Sequence, residues 1–243
     1  MKVISLFSGA GGLDIGFKNA GYEIAVCVEQ DKACCETLAL NMPHVPIINA
    51  DIRSLSTKDI LKAAKLKPRE AALVIGGPPC QPFSLAGKRG GFLDPRGTLF
   101  QEFVRVVKES APKGFLMENV KGILNWNSGA AIKTILYELS QPFQHGRSHF
   151  EYTVTQTCVD AADYGEPQHR ERVFIVGTLS KAPFRFPEPT HVSPDELALR
   201  RQRTWNTVGK ALQGLPEPDA PSATALRVSK TILLRHKALG YEE

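Results

Sequence analysis

The sequence predicts an α/β protein built on a doubly wound, mostly parallel sheet. Short apolar runs of strand length alternate with helix-length segments along most of the chain. A glycine-rich turn follows the first of these runs, at the kind of strand end where open α/β sheets bind ligands. With 243 residues, 42% of them hydrophobic, the chain is long enough for one sizeable domain.

The predicted elements alternate regularly at first and then change character. Four strands and three helices come first, with strands over 2–7, 23–28, 45–49 and 73–75 and helices over 13–19, 31–41 and 57–66. They are followed by a strand over 114–118, a helix over 129–139 and strands over 152–157 and 172–177. No helix-length segment separates the last two strands, which therefore predict an antiparallel hairpin at the sheet edge.

The regular alternation of strands and helices ends after Thr178, and four prolines fall between positions 182 and 194. Such a density of prolines is typical of an extended linker. We expect a first domain over residues 1–180, and a proline-rich linker with a C-terminal segment over residues 181–243. One helix is predicted in that segment, over 208–212.

Composition excludes several classes of protein. No apolar run approaches the ~20 residues of a membrane span, and glycines break the N-terminal run too early for a signal peptide. The five cysteines are odd in number and form no Cys-x-x-Cys pair, so neither a disulfide framework nor a metal site is expected. We expect a cytoplasmic protein without a membrane partner. The net charge of +5 permits a nucleic-acid partner without establishing one.

The most informative segment follows the apolar run 73–75. Two glycines end that run, and Pro78, Pro79, Cys80 and Gln81 come next. Because two prolines fix two successive φ angles, Cys80 is held at a defined place beyond the strand end. A buried structural cysteine is the commoner alternative. Rigid prolines before Cys80 and a polar residue after it favour a positioned nucleophile instead.

A second group of residues predicts a nucleoside pocket. The turn Phe7-Ser-Gly-Ala-Gly-Gly12 follows one strand, Glu29 ends the next, and Asp51 follows the third. Glycines allow close approach of the backbone to a ligand, Glu29 could accept both ribose hydroxyls, and Asp51 could accept an adenine amino group. Each feature taken alone has an alternative, namely a tight turn, a solvated acid or a helix cap.

A third group offers acid and cationic side chains. Glu118 ends the strand predicted beside the Cys80 strand, and it could donate a proton or merely cap the next helix. Arg170 and Arg172 alternate at the start of a strand and therefore point to the same face. Their alternative is a pair of solvated arginines at an edge.

These segments resemble the DNA cytosine-5 methyltransferase family. Pro79-Cys80-Gln81 carries the resemblance together with Glu118-Asn119-Val120, Gln168-x-Arg170-x-Arg172 and, less strongly, Arg96-Gly-Thr-Leu-Phe100 and Asp163-Tyr-Gly165. The similarity runs from about Lys2 to Gly177. It implies the Rossmann-like fold of S-adenosylmethionine-dependent methyltransferases, with S-adenosylmethionine as cofactor. Gln30 departs from the family, which often has an aromatic residue stacked on the adenine there.

The resemblance also implies roles for single residues. The implied cofactor-binding set is Phe7, Gly9, Ala10, Gly11, Gly12, Glu29, Gln30, Asp51, Ile52, Pro79 and Leu99. The implied catalytic set is Cys80, which adds to C6 of cytosine in duplex DNA, Glu118 at N3 and the exocyclic amine, Arg172 at O2, and Arg170 in support. The implied DNA contacts are Gln81, Ser84, Lys88, Arg89 and Arg96, around a base flipped out of the duplex.

Members of the family have further segments after the region of similarity, and we do not find these segments after Thr178. They are a variable recognition domain and the C-terminal motifs that complete the cofactor pocket. We therefore expect the catalytic subunit of a split, heterodimeric enzyme of a bacterial restriction–modification system, with a shortened chain as the simpler alternative. Rival functions are a transfer RNA cytosine-5 methyltransferase, a non-catalytic subunit that binds cofactor and DNA, and a nicotinamide dehydrogenase.

Overall fold

The computed structural model describes residues 1–79, 99–196 and 202–214. The chain divides into two compact units, Met1–Trp205 and Asn206–Glu243. The first contains a seven-stranded sheet with helices on both faces. The predicted fold class is therefore confirmed. The predicted domain boundary at residue 180 stays a prediction, although the first compact unit extends beyond it.

The strands of the main sheet are β1 (Lys2–Leu6), β2 (Glu23–Glu29), β3 (Ile47–Asn49), β4 (Leu73–Gly76), β5 (Gly114–Val120), β8 (Thr153–Asp160) and β9 (Glu171–Thr178). Two short pairs lie outside it, β6 (Phe143–His145) with β7 (Ser148–Phe150) and β10 (His191–Val192) with β11 (Arg203–Thr204). The helices are α1 (Gly12–Asn19), α2 (Lys32–Asn41), α3 (Thr57–Ala63), α4 (Leu99–Ser110), α5 (Ala130–Ser140) and, in the second unit, α6 (Val208–Leu212).

The strand order is β3-β2-β1-β4-β5-β9-β8. The first five strands pair in parallel, whereas β9 runs antiparallel to both β5 and β8. The predicted antiparallel edge hairpin is therefore present. The strand order reverses between β1 and β4, and this reversal opens a crevice at the carboxyl ends of the two strands.

The central strands are apolar because both faces of the sheet are covered. Ile4 and Leu6 of β1 belong to one buried cluster, whereas Val3 belongs to the cluster on the opposite face. Helix α4 packs on the first face through fully buried side chains that include Phe103 and Val106. Burial of each such side chain contributes about 1.5–3 kcal/mol to folding. This packing holds the sheet rigid beneath the crevice.

The observed elements differ from the sequence predictions at several places. Helix α4 was not predicted, although its apolar residues recur at helical spacing. Helix α3 ends at Ala63 rather than at residue 66, because Lys65 adopts a positive φ of 51° and the chain folds back. Strand β8 continues to Asp160, three residues beyond the predicted end at 157. Part of the predicted linker forms β10, whose two residues are buried.

No helix among the described residues has the length and apolar character needed to cross a membrane.

Candidate active site

The glycine turn lies at the carboxyl end of β1 and leads directly into α1. Phe7, Gly9 and Gly11 all have positive φ values, of 53°, 54° and 88°. A side chain at Gly11 would bring a Cβ atom 2.8 Å from the Leu38 side chain, so glycine is needed there for packing as well as for its conformation. The turn therefore exposes backbone N–H groups at the N-terminus of α1.

Glu29 joins this turn to the end of β2. Its Oε2 atom accepts a hydrogen bond from the Gly9 N–H group at 2.8 Å. Its Oε1 atom accepts from the N–H groups of Gln30 and Asp31, both at 2.8 Å. A carboxylate offers about four lone-pair positions, so this arrangement leaves about one, on Oε2, for an external donor such as a ribose hydroxyl.

A small pocket of about 260 Å³ opens between the ends of β1, β2, β3 and β4. Its lining includes seven of the predicted cofactor-binding residues, namely Phe7, Glu29, Gln30, Asp51, Ile52, Pro79 and Leu99. Gly9 and Gly12 line a larger neighbouring cavity, while Ala10 and Gly11 belong to the turn between. An acid at each of two strand ends and apolar walls between them match a nucleoside in polarity.

Asp51 is already engaged within the pocket. It caps the single 3-10 turn Ile52–Ser54, accepting from the Arg53 N–H group at 2.9 Å, and it forms an ion pair with the Arg53 guanidinium. The side-chain hydrogen bond from Arg53 lowers the pKa of Asp51. Sequence reasoning placed Asp51 here but did not anticipate Arg53 as its partner.

The larger cavity, of about 800 Å³, shares Phe7 and Gly77 with the small pocket, so the two adjoin. The predicted catalytic residues Glu118, Arg170 and Arg172 all line this second cavity. The Arg172 Nε atom lies 2.7 Å from Glu118 Oε1, and both side chains are about three-quarters buried. The structure thus brings the predicted acid and both predicted arginines together beside the pocket.

Two neighbours of Glu118 shape this site. A Cβ atom on Gly77 would lie 2.9 Å from Glu118 Oε2, so the glycine leaves room for the carboxylate. The buried Asn119 side chain donates from Nδ2 to the Pro78 carbonyl oxygen at 3.0 Å. This bond fastens the segment that precedes Cys80 to the end of β5. Asn119 belongs to the motif Glu118-Asn119-Val120, but no local sequence signal predicts its bond to Pro78.

Cys80 and the predicted DNA contacts Gln81, Ser84, Lys88, Arg89 and Arg96 lie outside the described residues. The approach to Cys80 is described as far as Pro79, which lines the nucleoside pocket.

Hydrogen bonds to Asp160 fix the position of the segment before β9, which contains His169 and Arg170. Asp160 Oδ1 accepts from the Arg170 N–H group at 2.8 Å, and Oδ2 lies 2.8 Å from His169 Nδ1. Burial alone would raise the pKa of Asp160, but the hydrogen bonds from His169, Arg170 and Ala162 together lower it. Trp205 packs edge-on against His169 and donates from Nε1 to Asp163 at 2.9 Å. None of these contacts was expected from the sequence.

The four described cysteines do not compete with Cys80 as nucleophiles. Burial raises the pKa of Cys27 strongly, and it also raises the pKa values of Cys34, Cys35 and Cys158. Nucleophilic thiols need the opposite shift, toward the thiolate. Within the described ranges, no group of three or more His, Cys, Asp or Glu side chains is placed to hold a metal ion.

Comparison with known proteins gives a consistent answer. A family model described as C-5 cytosine-specific DNA methylase matches residues 1–238. The type II methyltransferase M.AquIA of Picosynechococcus sp. is 54% identical, with 99% of each chain covered. M.FnuDI of Fusobacterium nucleatum is 41% identical over 88% of this chain, but the match spans only 58% of that relative.

Solved structures agree on the fold. An Escherichia coli prophage protein described as a DNA modification methyltransferase superposes with a TM-score of 0.66 and 30% identity, over 90% of this chain and 56% of that chain. The S. pombe Dnmt2 methyltransferase gives a TM-score of 0.58 at 20% identity, over 93% of this chain and 66% of that chain, a likeness of fold alone. The family expected from the motifs is confirmed, and the chain belongs to the C-5 cytosine-specific DNA methylases.

Proposed function

We propose that this chain transfers a methyl group from S-adenosylmethionine to C5 of cytosine in duplex DNA, with Cys80 as the covalent nucleophile. The observation that carries the proposal is the Glu118–Arg172 ion pair, which lies in a cavity adjoining a nucleoside-shaped pocket. Pro79 lines that pocket, and Cys80 is the next residue. The acid and the proposed cofactor pocket therefore share one crevice, and the proposed nucleophile is the residue that follows a wall of that pocket in the sequence.

The residues of the smaller pocket fit the cofactor by their chemistry. The remaining acceptor position of Glu29 suits a ribose hydroxyl, Asp51 suits the adenine amino group, and Ile52 and Leu99 provide apolar walls. The glycine turn offers backbone N–H groups to a carboxylate at the N-terminus of α1. When bound, S-adenosylmethionine supplies an electrophilic sulfonium methyl group.

Three side chains, those of Cys80, Glu118 and Arg172, would activate the cytosine. The Cys80 thiolate forms a bond to C6, while the C5–C6 electron pair shifts through the ring and Glu118 donates a proton to N3. C5 then carries enamine character and would take the methyl group, while the electron pair of the broken methyl–sulfur bond would stay on the sulfur of the departing thioether. Loss of the C5 proton to a base expels the Cys80 sulfur with its bonding pair, and Glu118 recovers its proton. Arg172 holds Glu118 and offers donors to O2 of the cytosine.

We further propose that sequence-specific methylation needs a second polypeptide that carries the recognition domain and the C-terminal motifs. This chain matches nearly all of M.AquIA but only 58% of M.FnuDI and 58% of M1.HphI of Haemophilus parahaemolyticus. We expect the proposed second polypeptide to correspond to the part of those longer relatives that this chain does not match. The proposal predicts that the purified chain alone shows little sequence-specific activity.

Covalent trapping tests the proposal directly. The chain and a co-encoded candidate partner are incubated with S-adenosylmethionine and duplex DNA that contains 5-fluorocytosine, which cannot lose a proton from C5. We expect an intact-mass increase equal to the DNA strand plus one methyl group. The increase should disappear in Cys80→Ala and persist in Cys158→Ala, the matched control.

An adduct that survives in Cys80→Ala would refute the assigned nucleophile. A parallel incubation with transfer RNA distinguishes the rival enzyme, since methyl transfer to transfer RNA but not to duplex DNA would refute the DNA substrate. Cofactor and DNA binding by wild-type protein without any adduct would indicate the non-catalytic subunit.

A further inference from the structure

Arg105, a partly buried residue of α4, bridges two walls of the nucleoside pocket. One wall comes from the segment after β3, which contributes Asp51 and Ile52, and another from Leu99 at the start of α4. Arg105 lies six residues after Leu99, roughly 9 Å along the helix. Its side chain is 27% exposed and reaches across to the other wall.

The contacts of the Arg105 guanidinium use its full set of donors. Nη2 donates to the carbonyl oxygens of Ile52 at 3.3 Å and Leu55 at 3.0 Å. Nη1 donates to Thr57 Oγ1 at 3.0 Å and lies 3.4 Å from Glu109 Oε2. Nε donates to Glu102 Oε2 at 2.8 Å. Arginine has five N–H donors in a fixed fork, so every donor has an acceptor.

Two of these acceptors are backbone carbonyl oxygens of the pocket wall, and the Ile52 oxygen also accepts from the Leu55 N–H group at 3.1 Å. The segment Ile52–Ser54 is a single 3-10 turn, so only a few local backbone hydrogen bonds hold it in place. Arg105 adds two further bonds at the carbonyl end of this turn from another helix. The Ile52 side chain is 4% exposed and lines the pocket directly. Arg105 thus contacts the backbone of a residue whose side chain lines the pocket.

We propose that Arg105 is a positioning residue for the cofactor, which sets the separation of Ile52 and Leu99 and thereby the width of the adenine end of the pocket. The inference rests on the proposed function of that pocket. Lysine cannot replace this arginine fully, because an ammonium group has three donors and no planar fork. Arg105 touches no reacting atom, so its effect should fall on cofactor affinity and not on the methyl-transfer step.

The test compares S-adenosylmethionine binding by calorimetry for wild type, Arg105→Gln and Arg105→Lys, at a temperature well below all their melting points. We expect the dissociation constant to rise about tenfold in Arg105→Gln and to be partly restored in Arg105→Lys. With partner and DNA added, KM for S-adenosylmethionine should rise in parallel while kcat stays within about twofold. Lys108→Gln, on the same helix, is the matched control and should bind like wild type.

A dissociation constant for Arg105→Gln within about twofold of wild type, with only the melting temperature lowered, would overturn the inference by showing a purely structural role. If Arg105→Gln does not fold, Thr57→Val removes one acceptor of the fork, and an unchanged affinity in that variant would overturn the inference. Wild-type protein that binds no S-adenosylmethionine even with the candidate partner present would instead refute the proposed function, and the inference with it.

Discussion

Glu118 and Arg172 are diagonal neighbours on adjacent antiparallel strands, with Arg172 Nε 2.7 Å from Glu118 Oε1. Glu118 stands opposite Phe174 and Arg172 opposite Val120 in the register of β5 and β9, so both side chains project from the same face. The one antiparallel junction beside the parallel strands thus places a cation against the acid. This pairing keeps the carboxylate fixed in the cavity before any substrate enters.

Removal of the cation should disable catalysis. In Arg172→Ala, we expect kcat for methyl transfer to fall about 100-fold or more, because Glu118 loses its partner and cytosine O2 loses a donor. Initial rates with saturating cofactor and DNA measure this effect. Lys121→Ala is the control, since it removes an exposed ion pair between the residue that follows β5 and Glu171 of β9, and it should change the rate by less than about twofold. Equal losses in both variants would contradict the assigned role of Arg172.

A methyl group at Gly77 should displace Glu118 without unfolding the protein. The added Cβ would lie 2.9 Å from Glu118 Oε2, the end of a flexible side chain that can move aside. We expect Gly77→Ala to lose about 10- to 100-fold in kcat while the melting temperature shifts by only about a few degrees. Gly16→Ala in α1 is the control, because its Cβ meets no atom within 4 Å. Full activity of Gly77→Ala would show that this close approach is dispensable.

Buried Asp14 should make stability depend on pH in the direction opposite to most carboxylates. Burial raises the pKa of Asp14, and Oδ2 has no hydrogen-bond partner in the structure. Above the ordinary pKa of about 3.9, the folded state binds more protons than the unfolded state, so this residue lowers stability as pH rises through its folded pKa.

In Asp14→Asn that pH-dependent loss is absent. We therefore expect the melting temperature of Asp14→Asn, relative to wild type, to increase as pH rises from about 4 to 8. Thermal denaturation across this range measures the difference. A difference that is constant or that decreases with pH would contradict the buried, raised-pKa assignment.

Glu29 should be needed for cofactor binding, because its carboxylate connects the glycine turn to the end of β2. Glu29→Gln places an amide N–H group against one of three backbone N–H donors, so we expect the dissociation constant for S-adenosylmethionine to rise about tenfold or more. Glu23→Gln, at the exposed start of the same strand, is the control. Calorimetric titration gives both constants. Unchanged affinity in Glu29→Gln would remove this carboxylate from the proposed pocket.

The elements that sequence reasoning located are those with local signals. Parallel strands buried on both faces are apolar throughout, and the glycine turn and the Pro78–Pro79 segment carry their own backbone restrictions. Glu29 and Glu118 were placed at strand ends because the end of a strand can be read from where its apolar run stops. The family followed from short motifs in a consistent order. Helix α4 was not predicted, although its apolar residues also recur at helical spacing and so form a local signal.

The interaction partners of these residues could not be predicted from the sequence. Arg105 meets Ile52 and Thr57, and Asn119 meets Pro78, across about 40 to 50 positions of chain, and no local pattern encodes which side chains meet. The positive φ of Lys65 and the approach of Trp205 to His169 likewise arise from packing. Residue type and periodicity therefore specify the strands, the turn and the candidate chemistry. Ion pairs and hydrogen-bond partners depend on distances of a few ångströms, and only the folded chain sets those distances.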